Sequence, residues 1–189
     1  MSAINKTYVK TILQIASADT SRDTLIETLI PTVIGNLFAD LHRDFKDLLV
    51  YHSTSTVSFT AAPSPKIDDA EGDFEGDGFL AGMEVWIEGS QLNDGYRVIS
   101  SVAETQITLT AVGLETVEPV GYAVTITKIA IPFDLKPWIA RMIGVEIDKT
   151  QMAGIKSKSL SDMSVTFADT SYPPAMVKAL NSYRKLSWP

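Results

Sequence analysis

The chain has 189 residues, 23 of them acidic and 16 basic, for a formal charge of −7 and a pI near 4.8. A composition 45% hydrophobic and 21% charged excludes a wholly disordered chain, and the acidic balance argues against a protein that coats nucleic acid. The absence of cysteine excludes disulfides, thiolate catalysis and thiolate metal sites, while the lack of a long apolar run or an early apolar signal core leads us to expect neither an integral membrane protein nor a secreted one.

The first predicted element is a short amphipathic helix over 7–15, with Tyr8, Val9, Ile12, Leu13 and Ile15 on its apolar side. A polar break at 17–21 supplies cap residues. Leu25, Leu29, Val33, Leu37 and Leu41 then recur every four residues beside Ile26, Ile30, Ile34 and Phe38, which predicts a helix of about twenty residues. Pro31 removes a backbone donor within it, so a kink or two consecutive helices is expected. Helical character is expected to continue towards Leu49.

From about Thr54 the apolar period changes to two. Alternation predicts five short strands, in 57–60, 83–87, 96–99, 106–110 and 122–127. Asn93-Asp94-Gly95 reads as a hairpin turn, because these residues tolerate positive φ. Helix returns after Ile131-Pro132, with Asp134 as a cap and Leu135, Trp138, Ile139, Met142 and Ile143 as a core side. A strand-like run, 163–167, and a closing helix opened by Tyr172-Pro173-Pro174 complete the chain.

Charge follows the same division. Residues 55–130 hold twelve acidic and three basic residues, a net of −9, whereas the flanking stretches together hold eleven and thirteen, a net of +2. The expected fold class is α+β: a discontinuous helical domain (1–54 and 131–189, about four helices) interrupted by an inserted acidic antiparallel barrel or sandwich of about five strands (55–130).

No catalytic set emerges from the sequence. His42 and His52 each stand without another histidine to join them in a metal or catalytic cluster and read as surface histidines. No nucleophile elbow, phosphate-cradling loop or His-Glu-x-x-His is present. The acidic run 68–78 places Asp73, Glu75, Asp77 and Glu84 at positions one, three, five and twelve of a calcium-type loop, with Gly78 at six. Glu75 is long for position three and the flanks read as turn and strand, so these four are weak metal candidates beside the simpler reading of a solvated acidic loop. No cofactor is expected. Trp188 is expected either against the core or at an interface.

Two parts of the chain are similar to phage virion proteins. Residues 8–13, the polar break and Asp23-Thr24-Leu25-Ile26-Glu27-Thr28-Leu29-Ile30 resemble the opening of head-tail connector proteins of long-tailed bacteriophages. The run 158–169, then Tyr172-Pro173 and Leu180-Asn181-Ser182-Tyr183-Arg184-Lys185, resembles their ending. Phe59-Thr60-Ala61-Ala62, residues 77–83, Gly89-Ser90, Asn93-Asp94-Gly95-Tyr96-Arg97-Val98 and the strand 105–110 resemble a β-module of phage virion proteins.

The resemblance implies a non-enzymatic structural subunit of the virion, assembled in the bacterial host cytoplasm. It would form a homo-oligomeric ring, dodecameric in many members, between the portal protein and the tail or next head-completion protein. DNA would pass through its channel without specific binding, and no membrane would be involved. By analogy, Met163, Val165, Phe167, Tyr172, Tyr183, Arg184 and Trp188 would contact the portal or a neighbouring subunit. The alternative is a virion-associated module whose β insert binds calcium or carbohydrate.

Overall fold

Local signals set the first two helices. The Asn5 side chain accepts the Tyr8 N–H at 2.9 Å and opens α1 (Lys6–Ile12). α2 (Asp23–Leu41) runs as a single helix through Pro31 rather than dividing there. It ends where His42 turns left-handed, φ 51°, and its N–H returns to Phe38 and Ala39 carbonyls. In the computed structural model, described for residues 3–42, 45–61, 63–110, 116–151, 178, 180, 182 and 183 and for the backbone of 157–160 and 163–166, the chain then becomes strand. Helix therefore does not continue to Leu49. Residues 46–52 form β1 (Lys46–His52), whose apolar spacing suits either conformation.

Six further strands follow: β2 (Val57–Thr60), β3 (Lys66–Asp69), β4 (Glu84–Glu88), β5 (Gly95–Ala103), β6 (Gln106–Leu109) and β7 (Thr125–Ile129). They join β1 in one antiparallel sheet of order β1-β7-β4-β5-β6-β3-β2. β5 connects its two halves, pairing with β4 through Gly95–Val98 and with β6 through Ile99–Ala103, with a register shift between Ile99 and Ser101. At the β2 edge, Phe59 and Glu118 exchange backbone bonds of 2.8 and 3.0 Å. α3 (Lys136–Gln151) and a separate hairpin of β8 (Ser157–Leu160) with β9 (Met163–Thr166) come last.

The expected fold class is thus corrected. Among the described residues there are three helices and a seven-stranded open sheet, not four helices around a five-stranded barrel. The additional strands are β1, hidden inside a helical spacing, and β3, whose Lys-Ile-Asp-Asp sequence has one apolar residue to signal it. Of the closing helix, Lys178 and Leu180 are helical, and the rest of that expectation lies outside the described residues.

Both faces of the sheet bury side chains. On the helical side, Ile26, Ile30, Ile34, Leu37 and Phe38 of α2 join Ile139, Met142 and Ile143 of α3, together with Tyr96, Val98 and Ile129 of the sheet. On the other side, Val57, Phe59, Ile67, Val85, Ile87, Ile107 and Ile126 form a second cluster with Phe74 and Phe79. Each fully buried side chain of this size contributes about 1.5–3 kcal/mol of transfer free energy. In β4 the alternation sends Val85 and Ile87 to the second cluster and Trp86 to the first. α1 and α3 approach so closely that a Cβ at Gly144 would lie 2.8 Å from a Leu13 methyl. α2 is long and apolar enough to cross a membrane by length and composition, with a mean hydropathy of 1.3. Seven of its side chains are instead buried in the fold.

Candidate interaction surface

The acidic loop is built on two buried aromatic anchors. Phe74 and Phe79 pack edge-to-face at 6.3 Å, and the Tyr51 ring lies 4.7 Å from Phe74. Between the anchors the backbone makes one tight turn, with Asp77 N–H donating to Asp73 O at 2.8 Å and Phe79 N–H to Phe74 O at 3.1 Å. Asp73, Glu75 and Asp77 are exposed, and Asp73 accepts the Gly76 N–H at 2.8 Å. Glu84 is not with them. It is buried beneath the helices, where Oε1 accepts from the Ile4 N–H at 2.9 Å and the Tyr96 hydroxyl at 2.8 Å, and Oε2 meets Lys136 Nζ at 2.5 Å. The four carboxylates proposed as calcium ligands are therefore not brought together. Among the described residues no group of three or more His, Asp or Glu is placed to hold a metal ion.

Three buried polar groupings were not visible in the sequence. The first is Glu84 with Lys136, Tyr96 and the Ile4 backbone, which ties the sheet to α3 and to the segment before α1. Burial, then the Glu84 charge and hydrogen bond, pushes the Tyr96 hydroxyl well above its usual pKa. In the second, buried Asp69 accepts the Tyr51 hydroxyl at 2.5 Å and the Glu71 N–H at 3.1 Å. Burial works to raise the Asp69 pKa, but bonds from Tyr51, Thr56, Glu71 and Ser53 outweigh it and hold the group below the ordinary carboxylate range. Burial and the Asp69 bond push Tyr51 upward.

The third grouping shapes the loops at one end of the sheet. Glu118 accepts from the Gln91 N–H at 2.7 Å, Ser90 Oγ at 2.9 Å, Asn93 Nδ2 at 2.9 Å and the Leu92 N–H at 3.2 Å. Asn93, fully buried, also accepts the Thr116 N–H at 2.8 Å. Burial would raise the Glu118 pKa, yet these donors together lower it. The nearest sequence signal for this arrangement was Asn93-Asp94-Gly95, read only as a turn.

This scaffold holds apolar side chains outward. Leu92, Val117 and Val120 are exposed on the two loops that Glu118 joins, and Tyr122 beside them donates to Gln91 Oε1 at 2.9 Å. Elsewhere Leu48, on β1, is 97% exposed, and Phe133 and Leu80 are also outward. Between α2 and the β4–β5 hairpin runs a mainly apolar groove of about 540 Å3, with Pro31, Trp86 and Arg97 in its walls. Trp86 is held there by Phe38, with ring centroids 5.3 Å apart.

The residues expected to contact partners divide three ways. Tyr183 lies back on the fold: its hydroxyl donates to Asp134, and its ring meets Phe45 edge-on at 6.4 Å. Met163 and Val165 fall in β9, which pairs with β8. Phe167, Tyr172, Arg184 and Trp188 lie outside the described residues. His42 caps α2, and His52, at the end of β1, shares a 3.0 Å bond with Thr125. Comparison with known protein families and with curated proteins found no match.

Proposed function

We propose that the chain is a structural subunit of a bacteriophage head-tail connector, forming a homo-oligomeric ring between the portal and the tail or next head-completion protein. The observation that carries an assembly role is the set of outward apolar side chains: Leu48 on a sheet edge, and Leu92, Val117, Val120 and Tyr122 on loops braced by Glu118. Braced apolar residues of this kind mark surfaces that meet other proteins. The buried ionic groups Lys10, Asp69, Glu84, Arg97, Glu118 and Lys136 all bond within the chain, in roles that hold the fold. The family assignment rests on the resemblance of 8–30 and 158–185. An acidic wall, to which residues 55–130 would contribute, repels the DNA backbone and lets it slide. Co-sedimentation with portal rings encoded in the same genome tests this reading. Saturable pelleting at a fixed ratio per portal supports it, and a chain that stays in the supernatant at tens of micromolar opposes it.

A further inference from the structure

We propose that the Asp77-Gly78 peptide is a self-modification site, where the folded chain converts Asp77 to isoaspartate while Asp94, in the same dipeptide, is protected. The site stands apart from the connector reading, and its chemistry needs nothing from a partner.

Only two aspartates in the chain precede glycine, Asp77 and Asp94. Such a peptide is open to ring closure, because glycine has no Cβ to keep its nitrogen away from the neighbouring carboxyl. The glycine nitrogen attacks Cγ of the protonated carboxyl, and an N–C bond forms. The amide proton and the carboxyl hydroxyl leave together as water, which closes a five-membered succinimide. Water then opens the ring at either carbonyl. Opening at the side-chain carbonyl restores aspartate; opening at the main-chain carbonyl leaves the chain running through the side chain, as isoaspartate. The water lost is regained, so no oxidant, metal or other reactant enters, and mass and charge end unchanged.

The fold treats the two aspartates differently. Asp77 and Gly78 are both exposed, in the turn between Phe74 and Phe79. Among the described residues no hydrogen bond or ion pair restrains the Asp77 carboxylate. Gly78 has φ +92°, and a Cβ built there would meet nothing within 4 Å, so the peptide has room to turn. Its N–H makes one exposed turn bond, to Glu75 O at 3.0 Å, which opening to water exchanges.

Asp94 is held instead. Its Oδ1 accepts the Ser90 N–H at 2.8 Å, and the residue before it, Asn93, is fully buried. Gly95 opens β5 in register with Ile87 of β4. Ring closure at Asp94 must therefore break the Ser90 bond and loosen the end of the β4–β5 ladder.

Conversion at Asp77 adds one methylene to the main chain inside a tight turn. The Phe79 N–H to Phe74 O bond of 3.1 Å spans the added atom and is the bond it disturbs. Phe74 and Phe79 remain as buried anchors, so the change loosens the acidic loop and leaves the body of the fold intact.

Ageing the full chain at neutral pH and body temperature for several weeks, beside the same chain in urea, tests the site. Digested peptides are read by electron-based fragmentation, which tells isoaspartate from aspartate of equal mass. In the folded chain isoaspartate at 77 should exceed that at 94 by about tenfold or more, because only the second needs a strand to open. In urea the two should agree within about threefold, since the fold no longer separates them. Equal or greater conversion at 94 in the folded chain overturns the proposal. So does a folded chain without isoaspartate at 77, whether or not the unfolded chain reacts. Asp77→Glu, at an exposed position, should abolish the product in that peptide with unchanged melting; product that persists there would assign the chemistry to Asp73 and sink the site.

Discussion

Under the helices, Glu84 is met by the full positive charge of Lys136, whereas in the loops after β4 and β6 the described donors to Glu118 are neutral. The first carboxylate joins residues 80 and 52 positions away, Ile4 and Lys136, and so holds elements together. The second gathers Ser90 to Asn93 and so sets the shape of a surface. The contrast teaches that buried charge in this molecule does two jobs: one fixes the body, the other fixes what the body presents.

Breaking the charged pair should have the largest effect. Glu84→Ala removes the carboxylate that neutralises the buried Lys136 ammonium, a change that costs about 3–5 kcal/mol. At about 2–4 °C per kcal/mol for a chain of this size, thermal melting should fall by roughly 10 °C. The double variant Glu84→Leu/Lys136→Met should recover most of that loss, because it removes both charges and the need to pair them. Recovery would show that the pair's role is mutual neutralisation. A double variant as unstable as the single would assign the loss to the bonds with Tyr96 and Ile4.

Next comes the turn that leads into the Glu118 loops. Gly89 has φ +91°, and a Cβ there would sit 2.3 Å from the Ala123 carbonyl oxygen. Gly89→Ala should cost about 1–3 kcal/mol by backbone strain and displacement together, read by chemical denaturation. Glu118→Ala should cost a similar ~1–3 kcal/mol, since it strands buried donors such as Asn93. Unlike Glu84→Ala, it should loosen hydrogen-exchange protection first in 90–93 and 116–118. Uniform loosening would contradict the division of labour between the two glutamates.

The pH dependence sharpens the same comparison. Glu118 and Asp69 have folded pKa values below their ordinary ones. Their stabilisation is complete above the unfolded carboxylate pKa, about 4, and is lost as pH falls through the lowered folded values. Tyr96 and Tyr51 are raised, so their contribution is complete below about pH 10 and is lost as pH climbs towards the folded values. Acid titration of the Glu118→Gln variant should therefore give a shallower loss of stability than wild type, and Tyr51→Phe a shallower alkaline limb. The smallest effect is expected from Asp73→Asn, an exposed change worth within about 0.5 kcal/mol, with no calcium-dependent shift in melting before or after.

What the sequence made legible was determined by period. α2 announced itself through apolar residues every fourth position, and β4 to β7 through alternation, because one physical face of each must be dry. The helix was expected to continue towards Leu49, into the start of β1; the left-handed turn at His42, which stops it, has no glycine to announce it. β3 was missed because Ile67 is the one apolar residue among its four; the other buried position is Asp69. Linear spacing made Glu84 a weak candidate for position twelve of a calcium-type loop. Its true partners come from the chain's first residues and from α3, a meeting that only the tertiary fold makes. The Glu118 grouping depends likewise on two loops about 25 residues apart, and the outward Leu92, Val117 and Val120 sit on those loops.

Negative-stain imaging of portal rings, alone and after incubation with this protein, tests the central claim most directly. The connector account predicts class averages with one additional ring-shaped layer on the portal, of regular rotational symmetry. Portals that remain bare at saturating protein, with the chain monomeric beside them, would contradict it.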